Sequence, residues 1–297
     1  MRDWPPITEP ELLERLALDD EQFVAFIHTL AEAGGRREYQ PALLERALGY
    51  PWDRPAGSYI LRGTAVELLD DVDPAKREST VDAFIRDRHP ISSFGGNAAP
   101  TWLAAKLAHF PDGADREVLV LTGDLHGVDV GAAASPALVG YMPATLFASP
   151  ETAVRAAVLW ATPAQITQLT WSELSYRVGR LDDARFVIDE ADVQVDRIFA
   201  FISRFGAFCI DGAPVALAAI PATGRTAAAL TQEELLDTVA RLVIAPDARA
   251  EDLVRAIFED MAGVVARASE TVWPLSQPLL SRWTAFPASG SPDSNPG

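Results

Sequence analysis

"HPISSFGGNAAPTW", residues 89–102, is the stretch that decides how the chain is read. Its first part, Ile91 to Phe94, is a short half-apolar run that suits a strand. The run stops at Gly95-Gly96-Asn97, and helical spacing begins within a few residues. Trp102, Leu103 and Leu107 give that helix an inward face. Asn97 is a good N-cap, and Pro100 falls in the first turn, where a missing N–H costs nothing. Gly95 and Gly96 carry no side chain to shield their N–H groups. A glycine loop at a helix N-terminus offers free donors and the positive end of the helix dipole, which suits a carboxylate or an oxyanion. The same residues also suit an ordinary strand–helix turn.

Strand-like and helix-like segments alternate irregularly on either side of this loop. Candidate strands are "PISSF", "REVLVL", "VGYMPATLF", "AVRAAVLW", "YRVGRL", "AFCID" and "APVALAAI". In "VRAAVLW", Val154, Ala156, Val158 and Trp160 share one face and Arg155 lies on the other. Asp211-Gly212 between two apolar runs predicts a two-residue hairpin turn of type I′, because both central residues need positive φ. Strands without regularly interleaved long helices favour an α+β or barrel-like sheet over a doubly wound parallel one.

The first 50 residues read as three short helices that pack together or on the main body. In the second, Asp20 is the candidate N-cap and Gly34-Gly35 the stop. Residues 51–88 read as a linker with a candidate edge strand, "SYILRG", and a charged stretch that is a solvated segment or a short helix. A core unit spans 89–225. Residues 226–285 form a C-terminal helical part: "TQEELLDTVARLV" opens with a capping box, Thr231 to Glu234, and "AEDLVRAIFEDMAGVVARA" reads as one further helix. The tail, 286–297, is rich in Gly, Ser and Pro and reads as disordered.

The 297 residues carry a net charge of −17. Such a surface argues against nucleic acid, whose phosphates need a basic footprint, and against anionic membranes. The one cysteine, Cys209, excludes an intrachain disulfide and a cysteine-rich zinc site, and in "AFCI" it reads as a small buried hydrophobe. There is no basic-then-apolar leader and no apolar stretch near the roughly 18 residues of a membrane span. A cytoplasmic protein is the simplest expectation.

Common catalytic signatures are absent. There is no G-x-G-x-x-G, no phosphate loop and no G-x-S-x-G elbow. His28, His89, His109 and His126 are scattered singly, without metal-ligand spacing on a helix, so no metal site is expected. The segment "VLWATPAQITQLTWSELSYRV" is more informative. Thr162, Pro163 and Gln165 make a T-x-x-Q capping box with proline at N1. Ile166 and Leu169 mark the buried face, and Glu173 follows Leu169 by four residues at the helix end. A carboxylate near the apolar face, at the negative end of the helix dipole, suits proton exchange near neutral pH. A surface glutamate at a frayed helix end fits the same spacing.

The order of these segments resembles the gamma-glutamylcyclotransferase-like family. "ISSFGGNAAPTWLAAKL", "GYMPATLFASP" and "AVLWATPAQITQLTWSELSYRV" follow that family's Y-G-S-N loop, Y-G-x-x-P-A-T segment, strand ending in apolar-Trp, and T-P-x-x-L helix leading to a glutamate. The similarity covers about residues 89–180, under a third of the chain. It implies an α+β protein with a small mixed β-barrel between N- and C-terminal helices. It also implies cleavage of a gamma-glutamyl or related small-molecule amide, in which the glutamyl amine attacks the γ-carbonyl and releases 5-oxoproline and an amine, with no cofactor. Phe94, Gly95, Gly96 and Asn97 would stand for the Y-G-S-N loop that holds substrate, with Tyr141 and Tyr176 beside them, and Glu173 for the general acid/base. The chain departs from the pattern in four places. Gly96 stands for the serine, Phe94 for the tyrosine, Leu174 follows Glu173 where the family often has glycine, and the segment before Tyr141, "VDVGAAASPALVG", lacks obvious polar ligands. A barrel that binds small molecules or proteins without catalysis fits those departures. An acyltransferase or amidohydrolase would differ only in the attacking group.

Overall fold

Two long neighbouring strands, Glu117–Ala132 and Ala144–Ala161, organise the molecule. The computed structural model describes residues 4–189, 195, 198–280 and 282–286. In chain order its helices are α1 (Pro10–Leu16), α2 (Asp20–Ala33), α3 (Pro41–Leu48), α4 (Pro74–Ile85), α5 (Pro100–Leu107), α6 (Pro163–Ser172), α7 (Gln232–Val243), α8 (Ala250–Glu259) and α9 (Met261–Thr271). The main strands are β1 (Tyr59–Arg62), β2 (Ala65–Leu68), β3 (His89–Ser93), β4 (Glu117–Ala132), β5 (Ala144–Ala161), β6 (Tyr176–Leu181), β7 (Arg185–Ile188) and β8 (Ile198–Ser203).

The protein is a mixed α+β structure built on a 12-stranded sheet. Its main path runs from Ala229–Leu230 through Ala216–Leu217, β4, β5, β3, β8 and β6 to Trp283–Ala285. The path has two ends, so among the described residues the sheet is open and the expected small closed barrel is not formed. The cause lies in β4 and β5. Each is long enough to pair different short strands at different heights: β4 takes β1 near Glu117–Val120, β7 near Gly123–His126, and Ala216 opposite Gly131. The short strands branch along this pair instead of closing a ring. Gly127, at φ +89°, marks the register break between His126 and Val128 where the long ribbon bends.

Both faces of the sheet are covered. Leu119, Leu121, Val158 and Trp160 belong to one apolar cluster, which also takes in Leu235, Leu253 and Ile257 from α7 and α8. Val118, Val120 and Leu159 belong to the other, with Leu12 of α1, Leu103 of α5 and Ile166 of α6. This follows from the period of two along a strand. The predicted hairpin is present: Asp211 (φ 51°) and Gly212 (φ 77°) join Ala207–Ile210 to Ala213–Pro214, and Cys209 is buried.

Several local expectations change. The predicted strands "VGYMPATLF" and "AVRAAVLW" are parts of one 18-residue strand, with Tyr141 in the turn before it. "SYILRG" is not an edge, because β2 folds back on β1 at Gly63 (φ 61°) and β4 pairs its other side. The charged stretch contains α4, capped by Asp73. The N-cap of α2 is Asp19, whose carboxylate accepts from the Gln22 N–H, in place of Asp20. "AEDLVRAIFEDMAGVVARA" is two helices. Asp260 leaves helical geometry at φ −148° and ψ 60°, and its carboxylate caps the second helix through the Gly263 N–H. The three N-terminal helices take the second of their two expected placements, on the main body: α1 meets α6, α2 meets α9, and α3 meets α7 and α8. Phe286, read as part of a disordered tail, packs edge-on against Trp4, while 287–297 lie outside the described residues. No helix among the described residues is long and apolar enough to cross a membrane.

Candidate active site

The quoted loop sits where β3 leaves the sheet. Gly96–Ala98 form a single 3-10 turn, Ala99 is the N-cap of α5, and Pro100 is at N1. Asn97 is therefore not the cap. The 3-10 turn uses the Ala98 and Ala99 N–H groups, bonded to the Gly95 and Gly96 carbonyls. The N–H groups of Gly95, Gly96 and Asn97 have no hydrogen-bond partner among the described residues. Three consecutive donors are thus left unused by the turn.

Glu173 is brought to this loop by α6. The expected capping box forms, with Thr162 Oγ1 accepting from the Gln165 N–H and the Gln165 side chain accepting from the Thr162 N–H. Proline at N1 and buried Ile166 and Leu169 fix the helix on the sheet, and Glu173 is its C-cap. The carboxylate does not meet only apolar neighbours. Its Oε1 accepts from Asn97 Nδ2 at 3.0 Å and from Lys106 Nζ at 2.8 Å, and Lys106 Nζ also donates to Asn97 Oδ1 at 2.6 Å. The three side chains close a triangle in which each touches the other two. Its ion pair is about four-fifths buried, with side chains 22% and 19% exposed. Glu173 Oε2 accepts no hydrogen bond from the described residues.

A small cavity of about 40 Å3 lies between this carboxylate and the loop. Phe94, Gly95, Gly96, Asn97, Glu173 and Tyr176 all border it. Ser92 borders it too, and its Oγ is buried without a partner. A wider cleft of about 300 Å3 meets the same carboxylate and holds Tyr141, Tyr176, Trp171, Leu174 and Phe205. Glu173 and Tyr176 are common to both. Six of the seven residues singled out in the sequence thus border the small cavity, and Tyr141 borders the cleft.

Aromatic side chains roof the loop. The Tyr50 ring stacks on Tyr141 at 4.3 Å, and Trp52 packs on Trp102 at 4.2 Å. Tyr50 Oη accepts from the Ala144 N–H at 2.8 Å, and Tyr176 Oη donates to the Ala144 carbonyl at 2.8 Å. Burial pushes the pKa of Tyr50, Tyr141 and Tyr176 up. Neighbouring Tyr141 and Glu173 add to this at Tyr50, Glu173 at Tyr141, and Tyr50, Glu173 and Tyr141 at Tyr176. All three phenols stay protonated at neutral pH. The roof also explains the two glycines. A Cβ on Gly95 would collide with Tyr50 Oη, and one on Gly96 would lie 2.6 Å from Trp52 Cζ3. The space of a serine side chain at position 96 is taken by an indole ring. Trp52 itself is held at φ +61°, an unfavourable region for a bulky residue.

Sequence reasoning missed Lys106, Ser92, Tyr50 and Trp52. One signal pointed to Lys106: of 25 basic residues only Lys76 and Lys106 are lysines, the rest being arginine. Among the described residues no group of three or more His, Cys, Asp or Glu side chains is placed to hold a metal ion. Comparison of the chain with protein-family models, with curated proteins and with solved structures gives no match. The site's own chemistry therefore carries the functional reading.

Proposed function

We propose that the protein cleaves a gamma-glutamyl or closely related amide by internal attack of the glutamyl amine, in the manner of the gamma-glutamylcyclotransferase-like family. The observation that carries this reading is the shared cavity, bordered both by Glu173 and by the loop whose Gly95, Gly96 and Asn97 N–H groups have no partner among the described residues. The loop N–H groups receive the glutamyl carboxylate. Ser92 Oγ supplies the hydroxyl that Gly96 lacks. The amine half of the substrate occupies the wider cleft, on the other side of Glu173.

In the reaction the amine nitrogen bonds to the γ-carbonyl carbon, and the carbonyl π pair moves onto oxygen. Glu173 takes the proton released by the attacking nitrogen on Oε2. Collapse of the tetrahedral oxyanion breaks the bond to the departing nitrogen, which receives that proton. Glu173 ends as it began, and the products are 5-oxoproline and the amine. Lys106 and Asn97 hold Oε1, so the carboxylate keeps one orientation through both transfers. Holding nucleophile and carbonyl on one molecule removes much of the entropic barrier.

The test is incubation with a panel of gamma-glutamyl amides and mass spectrometry for 5-oxoproline. Activity that is lost in Glu173→Gln supports the reading, and activity unchanged in that variant overturns it. A second reading, a non-catalytic binding module, draws on the Lys106–Glu173 ion pair, which already satisfies one carboxylate oxygen without substrate. It is favoured if wild type binds gamma-glutamyl amides but never turns them over.

A further inference from the structure

A second cavity, about 410 Å3, shares no lining residue with the two at Glu173. We propose that it binds a carboxylate carried on a short apolar chain, with Arg54 as the anchor. Most of its wall is apolar and includes Pro55, Tyr59, Val120, Ala157 and Pro221. Its volume is that of a small-molecule site.

Two guanidinium groups border this cavity, and they differ in one respect. Arg155 is already neutralised: it pairs with both oxygens of Asp189 and lies 3.7 Å from Asp124. Arg54 has no carboxylate partner among the described residues. Its Nη1 makes a long 3.4 Å contact with the Phe94 carbonyl, and its Nη2 is buried with no partner among the described residues. Burial draws its pKa down. In a chain of net charge −17, a half-buried cation without an acid beside it among the described residues stands out. A desolvated, half-paired guanidinium is unfavourable on its own. A carboxylate matches its planar fork, and an attached hydrocarbon chain matches the walls. The ligand is thus an amphiphilic monoanion rather than a sugar or a cation.

Isothermal titration of the full chain with octanoate, octylamine and acetate tests this. Octanoate binds, and octylamine and acetate bind at least about tenfold more weakly, a difference of ~1.4 kcal/mol. Arg54→Gln weakens octanoate by at least about tenfold. Arg54 also touches the Phe94 carbonyl, so a second variant guards against a misfolded first one. Ala219 is exposed and lines the cavity, and Ala219→Trp fills that space without touching Arg54 chemistry. It weakens octanoate to the same degree while the unfolding midpoint stays near wild type. The proposal is overturned if octanoate does not bind at about millimolar concentration, if octylamine binds as well, or if either folded variant keeps full affinity. Should Arg54→Gln fail to fold, Ala219→Trp decides alone.

Discussion

The Gly96–Trp52 contact makes a quantitative prediction about whether position 96 can carry a serine. A Cβ placed on Gly96 lies 2.6 Å from Trp52 Cζ3 and 3.2 Å from Cε3, where ordinary contact begins near 3.4 Å. The indole must therefore shift by about 0.8 Å (3.4 less 2.6). It cannot do so freely. Trp102 packs on one side at 4.2 Å, Tyr141 stands edge-on at 5.1 Å, and Nε1 donates to the Arg46 carbonyl at 2.9 Å. Forcing extra atoms into a packed contact costs about 1–3 kcal/mol. Gly96→Ser should destabilise the protein by that amount. For a chain of this size each kcal/mol lowers the melting temperature by about 2–4 °C. In a Trp52→Leu background the obstacle is gone, and the same substitution should cost less than about 0.5 kcal/mol, the usual error of additivity. Urea unfolding of wild type, both single variants and the double variant gives the coupling directly. Equal cost of Gly96→Ser in both backgrounds would refute the claim that Trp52 occupies the serine's place.

Lys106→Met removes the one cation that pairs with Glu173 among the described residues. The pair is about one-fifth exposed, so its loss should cost about 1–2 kcal/mol rather than the full value for a buried pair, and kcat for 5-oxoproline formation should fall by more than KM changes. Thr162→Ala breaks the capping box and the Thr162–Asp115 hydrogen bond at the start of α6; chemical denaturation should show a loss of about 1–2 kcal/mol. Asp129 is fully buried and bidentate to Arg225, at 2.7 and 2.8 Å. Arg225→Met strands that carboxylate and should cost about 3–5 kcal/mol in the same assay. Tyr50, Tyr59, Tyr141 and Tyr176 all have pKa values raised above the unfolded value near 10, chiefly by burial. Above pH 10 the folded state holds more protons than the unfolded state, so stability is full below pH 10 and falls as pH rises past it. Tyrosinate absorbance should appear together with unfolding, and a titration of all tyrosines near pH 10 in the folded protein would contradict the burial.

What was legible in the sequence was what local chemistry decides. The capping box at Thr162, the turn at Asp211-Gly212 and the strand–glycine–helix order at 89–107 depend on neighbours within four residues, and all three are present. Sheet closure depends on which distant strands pair with β4 and β5, and nothing local encodes that. β8, "IFAFIS", carries no legible strand signal because it is buried on both faces. Its Ile198, Ala200 and Ile202 enter one cluster and Phe199 and Phe201 the other, which erases the alternation that marks a strand. The helix break at Asp260 was hidden because an aspartate reads as a polar position of a continuing helix, while its carboxylate is spent on the next helix's N–H.

The site follows the same division, with one instructive exception. Glu173 and the glycine loop could be paired from motif order, yet their environment comes from residues that no motif names. Tyr50 and Trp52 reach the loop from more than 40 residues upstream, and their rings require the two glycines. With Trp52 over position 96, the hydroxyl that borders the small cavity is that of Ser92, buried and without a partner among the described residues, on the strand that leads into the loop. Asn97 is likewise released from capping because Ala99 and Pro100 start α5, and its amide goes to Glu173 instead. Lys106 completes the set from the far end of the same helix. The glycines, the aromatic roof and the Asn97–Glu173–Lys106 contacts are therefore connected through packing and hydrogen bonding. They leave Glu173 with one oxygen fixed and one available, which is the arrangement a group needs if it is to accept a proton and return it without turning.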